Sequence, residues 1–338
     1  MRGKSAAVLL AIIWFAQPSD PYVPILREYL TGDANAALAR LLNMDAVAVA
    51  AGAHELAHDG DPRLLYAAAA IHTEAALQKH DDFGMIATDW QLQLARDIVE
   101  YGELHAKQRS AIDLTKSRLP PVRTSFRRAW YVLAIRHYES WGRLPQTEQL
   151  LERTRELYPD DPDILLLDAI ADEANARPHE PAPTPGQHVS RLRDASRKLR
   201  ASLNGNPNVV EARLRYGRVL QELGSADDAQ RAFVGLPTSS DPRVRYLSSL
   251  FLGQLTDAMG DPAAAARWYQ NAIDAIPGQS AIVARSELLH RGGDVDAAAA
   301  ALPAMLQGTS DDPWWSYSFG QFWLIEASRA QLRALARQ

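Results

Sequence analysis

Hydrophobic residues recur at three- and four-residue intervals along most of the chain, a spacing that predicts amphipathic helices rather than strands. The stretch from Asn206 to Pro277 shows this pattern in its most regular form. Two successive hairpins there place a small residue seven positions before a turn glycine, an alanine five positions after it and an aromatic residue nine positions after it. The turn glycines, Gly224 and Gly260, lie 36 residues apart (260 minus 224). This periodicity predicts tandem helical hairpins.

The same spacing extends the array in both directions. A further copy after Pro277 turns at Gly293, and an earlier copy turns at Gly142. Gly142 precedes Gly224 by 82 residues (224 minus 142), which exceeds two 34-residue periods by 14. A proline-rich stretch of that length, residues 176–189, cannot continue a helix, and we interpret it as an exposed linker rather than a docking loop. The predicted flanking helices are Pro162 to Asn175 and Ser190 to Leu203.

The hairpin pattern resembles the tetratricopeptide repeat, a helix-turn-helix unit of 34 residues. The best copy matches the family pattern at Leu252, Gly253, Ala265, Tyr269, Ala272 and Pro277. The resemblance is strongest over residues 125–307. Ser249 and Arg213 stand where tryptophan is usual, and Leu236 replaces an alanine. The resemblance implies an all-α, right-handed superhelical solenoid whose first helices line a groove that binds a protein or peptide.

Projection onto the family geometry assigns a set of groove residues of mixed polarity. They are Arg136, Glu139, Glu211, Leu214, Arg218, Gln221, Leu250, Gln254, Asp257, Glu287 and His290. The paired basic residues with which some members of the family hold a C-terminal carboxylate are not laid out here. We therefore expect a protein or peptide partner without one strong charge. The alternative is that these positions form ordinary solvated helix faces.

The N-terminal third follows the repeat pattern only loosely. Residues 20–119 predict degenerate helical repeats, in which Ala37 and Leu41 follow the turn at Gly32 with the expected spacing. The array therefore begins in this region in a less regular form.

The first residues have the composition of a targeting segment. In residues 1–19, Arg2 and Lys4 precede an apolar run that is too short to span a bilayer. This order is typical of a signal peptide or N-terminal anchor. We expect an exported protein that is periplasmic, or anchored at the inner membrane by this segment alone. The alternative is an apolar helix that packs on the array of a cytoplasmic adaptor.

The C-terminal segment 311–338 differs from the repeats in composition. Six aromatic residues fall within the ten positions from Trp314 to Trp323, and leucines and arginines follow them. Because the end of a solenoid must cover its open core, we predict an aromatic capping helix here. The alternative is a partner surface, since Trp and Tyr are enriched at the centres of interfaces.

One short motif is typical of a metal site. His54, Glu55 and His58 form an H-E-x-x-H sequence, in which two histidines one helical turn apart bind zinc and the glutamate acts on metal-bound water. Reflection about the predicted turns brings Glu100 or Glu103 to the level of this motif as a third ligand. The alternative function is therefore a zinc-dependent metallopeptidase with the repeats as its substrate or partner arm. Against it, no strand-like segment is available to hold an extended substrate.

Composition narrows the remaining function classes. The 338-residue chain is 47% hydrophobic, has a formal net charge of −5 and contains no cysteine. Its 36 basic and 41 acidic residues are spread along the chain, so it lacks the concentrated positive charge that binding to nucleic acid requires. The lack of cysteine excludes disulfides, cysteine nucleophiles and thiolate zinc sites. We predict a non-enzymatic interaction scaffold of a bacterial envelope, with residues 120–310 as its repeat array and no cofactor.

Overall fold

The computed structural model describes residues 22–44, 48–49, 61–83, 89–101, 123–140, 144–177, 183–307, 312–318 and 325–338. Within these ranges the chain consists of helices and turns and contains no strand, which confirms the predicted all-α class. None of the helices in these ranges is both long and apolar enough to cross a bilayer. The predicted signal segment, residues 1–19, lies outside them.

Sixteen α-helices are present in the described ranges. In chain order they are α1 (Tyr22–Thr31), α2 (Ala34–Leu42), α3 (Pro62–Phe83), α4 (Asp89–Tyr101), α5 (Thr124–Ser140), α6 (Leu144–Leu157), α7 (Pro162–Ala176), α8 (Pro185–Gly205), α9 (Val210–Glu222), α10 (Ala226–Phe233), α11 (Pro242–Ala258), α12 (Pro262–Ala275), α13 (Gln279–Arg291), α14 (Val295–Gln307), α15 (Pro313–Ser318) and α16 (Ile325–Arg337). The chain divides into two compact units, the first formed by Met1–Ala134 with Glu326–Gln338 and the second by Ile135–Ile325.

The first unit is built around α3. This helix is buried at every position from Leu64 to Leu77, because α1, α2 and α4 pack around it. Glu74 on α3 is fully buried and accepts hydrogen bonds from the Tyr29 hydroxyl at 2.5 Å and from Arg333 Nε at 2.7 Å. Arg333 lies on α16, so a buried carboxylate connects the C-terminal helix with α1 and α3.

The second unit contains four consecutive helical hairpins, each made of a first and a second helix. The pairs are α7 with α8, α9 with α10, α11 with α12, and α13 with α14. The last three pairs turn at glycines in the left-handed region, with φ values of 77° at Gly224, 80° at Gly260 and 88° at Gly293. Because residues with a β-carbon adopt this conformation only at a cost, the backbone geometry confirms the predicted turns at Gly224, Gly260 and Gly293. The predicted turn at Gly142 lies outside the described residues.

The small residue and the aromatic residue of the repeat pattern meet inside the hairpin. A β-carbon added to Gly217 would lie 2.5 Å from the Phe233 ring, and one added to Gly253 would lie as close to the Tyr269 ring. Both rings are buried, Phe233 at 1% exposure and Tyr269 at 2%. In these two hairpins the helices therefore approach closely because the first helix carries glycine at this position.

Two elements differ from the predicted repeat. α8 begins at Pro185 rather than at Ser190, because Thr184 caps it and forms a reciprocal capping box with Gln187. The end of the predicted linker 176–189 is thus the first turn of a helix. α10 stops early and is followed by a short 3-10 helix, Leu236–Thr238, which begins after Gly235 at φ 80°. This turn explains why the repeat alanine is replaced by Leu236.

Two buried aspartates on α7 connect this helix with α6 and α8 by ion pairs. Lys198 Nζ on α8 lies 2.8 Å from Asp168 Oδ1 and 2.6 Å from Asp172 Oδ2 on α7. Arg155 Nη2 on α6 lies 2.6 Å from the same Asp168 oxygen. The pKa of Asp168 is lowered, because these cations outweigh its burial.

Within the C-terminal segment 311–338 the structure describes two helices, α15 and α16, and the residues between them lie outside the described ranges. α15 holds Trp314 and Tyr317 and belongs to the second unit, whereas all but the first residue of α16 belongs to the first unit. Of the predicted aromatic set, Trp314, Trp315 and Tyr317 stand on α15, the leucine-arginine stretch stands on α16, and the single capping helix stays a prediction.

Candidate partner-binding face

The first helices of the four hairpins share a face that a short segment of the chain crosses. We call residues 312–318 the terminal segment. It contacts Glu173 and Arg177 at the end of α7, Arg215 and Arg218 on α9, Phe251 on α11, and Ser280 on α13. Every contacted residue stands on a first helix or caps one, so we refer to this surface as the first-helix face.

The aromatic part of the contact is centred on Phe251. The Tyr317 ring lies 5.2 Å from the Phe251 ring and the Trp314 ring lies 5.9 Å from it, both edge to face. Trp314 and Tyr317 stack on one another at 5.7 Å. The Arg218 guanidinium lies 5.3 Å from the Phe251 ring centre and 5.8 Å from that of Trp314. Such cation–π contacts favour aromatic residues at this position.

The charged part of the contact is centred on Glu173. Its carboxylate accepts the Tyr317 hydroxyl at 2.8 Å, Arg215 Nη1 at 2.8 Å and Arg177 Nη2 at 2.9 Å. The Arg215 guanidinium also lies 4.4 Å from the centre of the Tyr317 ring. Burial raises the pKa of Glu173, but Arg215 and Arg177 outweigh it, so the net shift is downward and the carboxylate is charged.

The same arginines bind the main chain of the terminal segment. Arg215 Nη2 donates to the Tyr317 carbonyl at 3.3 Å, and Arg177 Nη1 donates to the Ser318 carbonyl. At the other end, the Ser280 N–H donates to Asp312 Oδ2 at 2.6 Å. The face therefore recognises both side chains and carbonyl groups. We call Glu173, Arg215, Arg218 and Phe251 the seat.

A row of buried ion pairs extends from the seat to α5. Arg215 Nε lies 3.1 Å from Glu211 Oε1, and Arg136 Nη1 lies 3.4 Å from Glu211 Oε2. The three side chains are at most 3% exposed. Because each charge has a partner of opposite sign, the row is stable when complete and costly when one member is removed.

Glu139 lies at the end of this row. It is 6% exposed, and neither carboxylate oxygen has a hydrogen-bond partner among the described residues. Burial raises its pKa well above the ordinary value; Arg136 and Arg215 oppose the shift, and Glu211 and Asp168 add to it.

The predicted groove residues fall into three groups. The buried ones are Arg136, Glu139, Glu211, Leu214 and Leu250; the half-buried ones are Arg218, Gln221, Gln254 and Asp257; the exposed ones are Glu287 and His290. Arg136 meets Glu211 in the ion-pair row, and Arg218 Nη1 donates to Gln254 Oε1 at 2.9 Å. Asp257 pairs with Arg291 at 2.5 Å. Leu214 and Leu250 belong to the hydrophobic core.

Sequence reasoning did not identify Glu173 and Arg215, which hold the terminal segment. Glu173 stands next to the region predicted as a linker, and its role depends on a tyrosine 144 positions away. Arg215 did leave a signal, since it follows Glu211 by four residues, the spacing of an ion pair on one helix face.

The candidate zinc ligands are described only in part. His54, Glu55, His58 and Glu103 lie outside the described residues. Glu100 accepts a hydrogen bond from the Tyr131 hydroxyl. Among the side chains that the structure describes, no group of three metal-ligating residues comes together. The zinc hypothesis remains a prediction from the sequence.

The stacked hairpins and their first-helix face define an all-α helical repeat fold. No protein-family model and no curated protein matches the sequence. Among solved structures, the chain is similar to PilF of Pseudomonas aeruginosa, with 15% identity and a TM-score of 0.44 over 60% of this chain and 86% of that one. It is also similar to MamA MSR-1, with 15% identity and a TM-score of 0.40 over 54% and 96%. Likeness at this distance assigns no partner.

Proposed function

We propose that this protein is a non-enzymatic scaffold that binds a protein or peptide on the first-helix face of its second unit. One observation supports this most: a peptide-like segment already lies across four successive first helices, where arginines bind its carbonyls and the seat holds its aromatic rings. A surface with this chemistry suits a folded turn of another protein equally well.

Crosslinking in the native cell, followed by affinity capture, tests this function. Three full-length chains are compared: the unchanged protein, Arg218→Ala on the first-helix face, and Arg267→Ala, an arginine on the second helix α12. We expect a partner that the unchanged chain and Arg267→Ala capture equally and that Arg218→Ala captures about tenfold less, the loss of about 1.4 kcal/mol of binding free energy. Identical capture by all three chains would exclude the first-helix face as the binding surface.

We further propose that the scaffold acts in a bacterial envelope, exported or held at the inner membrane by residues 1–19. The order of positive residues and apolar run in this segment supports the proposal. A fusion of the segment to a reporter that is active only outside the cytoplasm tests it. A silent reporter would favour the cytoplasmic adaptor instead.

Zinc-dependent peptidase activity is the second candidate, supported by the sequence of His54, Glu55 and His58 alone. Metal analysis of the purified protein tests it directly. Bound zinc, together with a peptidase activity that Glu55→Gln abolishes, would support the enzyme. Metal-free protein with no such activity would leave the scaffold as the function of the whole chain.

A further inference from the structure

We infer that the terminal segment is a built-in ligand of the seat, and that the partner is a helical turn with an acidic first residue, an aromatic residue and a tyrosine three positions after it. The inference rests on the proposed scaffold function and names the partner's chemistry. In this chain these three residues are Asp312, Trp314 and Tyr317. A partner of this kind binds by displacing the terminal segment.

The terminal segment has the properties of a ligand rather than of a repeat element. α15 has six residues, and a helix of that length is not stable on its own. Asp312 caps its first turn, and two contacts hold it from outside: the Ser280 N–H at Asp312 and the seat at Tyr317. No partner second helix for α15 exists among the described residues, whereas each first helix from α7 to α13 has one.

The chemistry of the seat specifies what it accepts. Glu173 accepts hydrogen bonds from Arg215 and Arg177, and it accepts the tyrosine hydroxyl at 2.8 Å as a third donor. Arg215 donates to the Tyr317 carbonyl and lies over the Tyr317 ring, and Arg218 lies over the Trp314 ring. A phenylalanine in place of the tyrosine would leave one fewer donor at a buried carboxylate, so the seat discriminates for the hydroxyl.

Charge also fixes the direction of the bound turn. Asp312 accepts the Ser280 N–H on α13, and Arg177 at the end of α7 binds the carbonyl at the opposite end. The α13 end of the face therefore suits an acidic residue at the start of the bound turn, and the α7 end suits the free carbonyl groups at the end of that turn. A turn bound in the reverse direction would bring its acidic residue to the end of the face that holds the Glu173 carboxylate, a pair of like charges.

Because the terminal segment is part of the same chain, it occupies the seat in the absence of a partner. A segment joined to the same chain is present at an effective concentration of about millimolar, so a free partner at micromolar concentration competes poorly. The unchanged protein consequently binds its partner weakly until the terminal segment leaves the seat. An emptied seat binds the same partner more tightly by about tenfold or more.

A fluorescent peptide with the sequence of residues 310–320 is the direct probe. Its binding is measured by fluorescence polarisation on the full chain, on the double variant Trp314→Ala/Tyr317→Ala, and on Trp315→Ala. Trp315 is the matched control, because it has the same residue type in the same helix but is 53% exposed. We expect the double variant to bind the peptide about tenfold or more tightly than the other two chains.

A second peptide and a second variant keep the test decisive. The peptide with Phe in place of Tyr317 should bind the emptied seat at least severalfold more weakly. If thermal melting shows that the double variant is not folded, Tyr317→Phe in the full chain replaces it and should also bind the original peptide more tightly than Trp315→Ala. Equal affinity for all folded chains, or no binding by any of them, would overturn the inference.

Two further outcomes separate this inference from the proposed function. A captured partner whose binding the peptide does not reduce would leave the scaffold intact and reject the seat as its site. Peptide binding with no partner captured from the cell would support the seat and reject the scaffold. A dimer of the unchanged protein that the double variant does not form would show that a second copy supplies the segment, and would overturn the partner assignment.

Discussion

The two sides of the same helices α9 and α11 are built by different means. Toward their second helices, Gly217 and Gly253 lie against the rings of Phe233 and Tyr269, and the contact is one of shape. On the first-helix face, Arg215 and its carboxylate partners are buried at 1 to 4% exposure, and the contact is one of charge. The packing of the glycines against the aromatic rings thus determines the geometry of the repeat, whereas the charged residues of the first-helix face determine which segment can bind there.

Stability should depend most strongly on the charged side, where removing one side chain leaves its ion-pair partners buried and unpaired. Arg215→Met leaves Glu173 and Glu211 as buried carboxylates without their shared cation. We expect a loss of about 3–5 kcal/mol in the free energy of unfolding, measured with urea. The control is Arg153→Met, whose exposed ion pair with Glu156 should contribute less than about 0.5 kcal/mol.

A loss below about 1 kcal/mol in Arg215→Met would show that the ion-pair row is dispensable. Combining it with Glu173→Gln should recover part of the stability, because the second change removes one of the unpaired charges. No recovery would mean that Arg215 stabilises the fold through packing, not through its charge.

A small substitution on the side of α11 that packs against α12 should reduce the free energy of unfolding less than the loss of Arg215 does. Gly253→Ala places a methyl group inside the contact distance of the Tyr269 ring, which must move. We expect a loss of about 1–3 kcal/mol in the free energy of unfolding. Gly186→Ala is the matched control, because its β-carbon would meet nothing within 4 Å, and it should be neutral or slightly stabilising.

A compensating change tests the cause of the effect in Gly253→Ala. Tyr269→Leu reduces the opposing ring, so the double variant should be more stable than the sum of the two single changes predicts. Strict additivity would show that the methyl group and the ring do not compete for the same space.

The contacts on the two sides of α9 and α11 also differ in how well they can be predicted from the sequence. Gly253 and Tyr269 lie 16 positions apart in one hairpin, so the local spacing of small and aromatic residues is enough to predict their contact. Tyr317 and Glu173 lie 144 positions apart and meet only because the chain returns across the first-helix face. Periodicity carries information on neighbours in a repeat and none on a segment outside it.

The predicted groove residues are a second example of what residue spacing leaves undetermined. Projection onto the family geometry placed Arg136 and Glu211 on the same face, and the structure brings them within 3.4 Å. It did not predict that both would be buried, because burial depends on the ion-pair row and on neighbouring helices that the projection does not contain. A helix face inferred from residue spacing therefore carries no information on how exposed its residues are.

The pH dependence of stability distinguishes two glutamates of the first-helix face. The pKa of Glu173 is lowered by Arg215 and Arg177, so its contribution to stability is present above the pKa of the unfolded chain and is lost as the pH falls. The pKa of Glu139 is raised by burial, so its contribution has the opposite sign.

Replacing Glu139 by Gln tests this sign with the smallest expected effect. Between the ordinary pKa of 4.5 and the raised one, the folded chain holds a proton that the unfolded chain has lost, so the stability of the unchanged protein falls as the pH rises. Glutamine does not titrate. Relative to pH 4, we therefore expect Glu139→Gln to gain stability over the unchanged chain at pH 8, measured by urea unfolding at both values. A difference that stays constant with pH, or that favours the unchanged chain at pH 8, would show that Glu139 is paired in its charged form, and the ion-pair row would then extend one residue further than its contacts indicate.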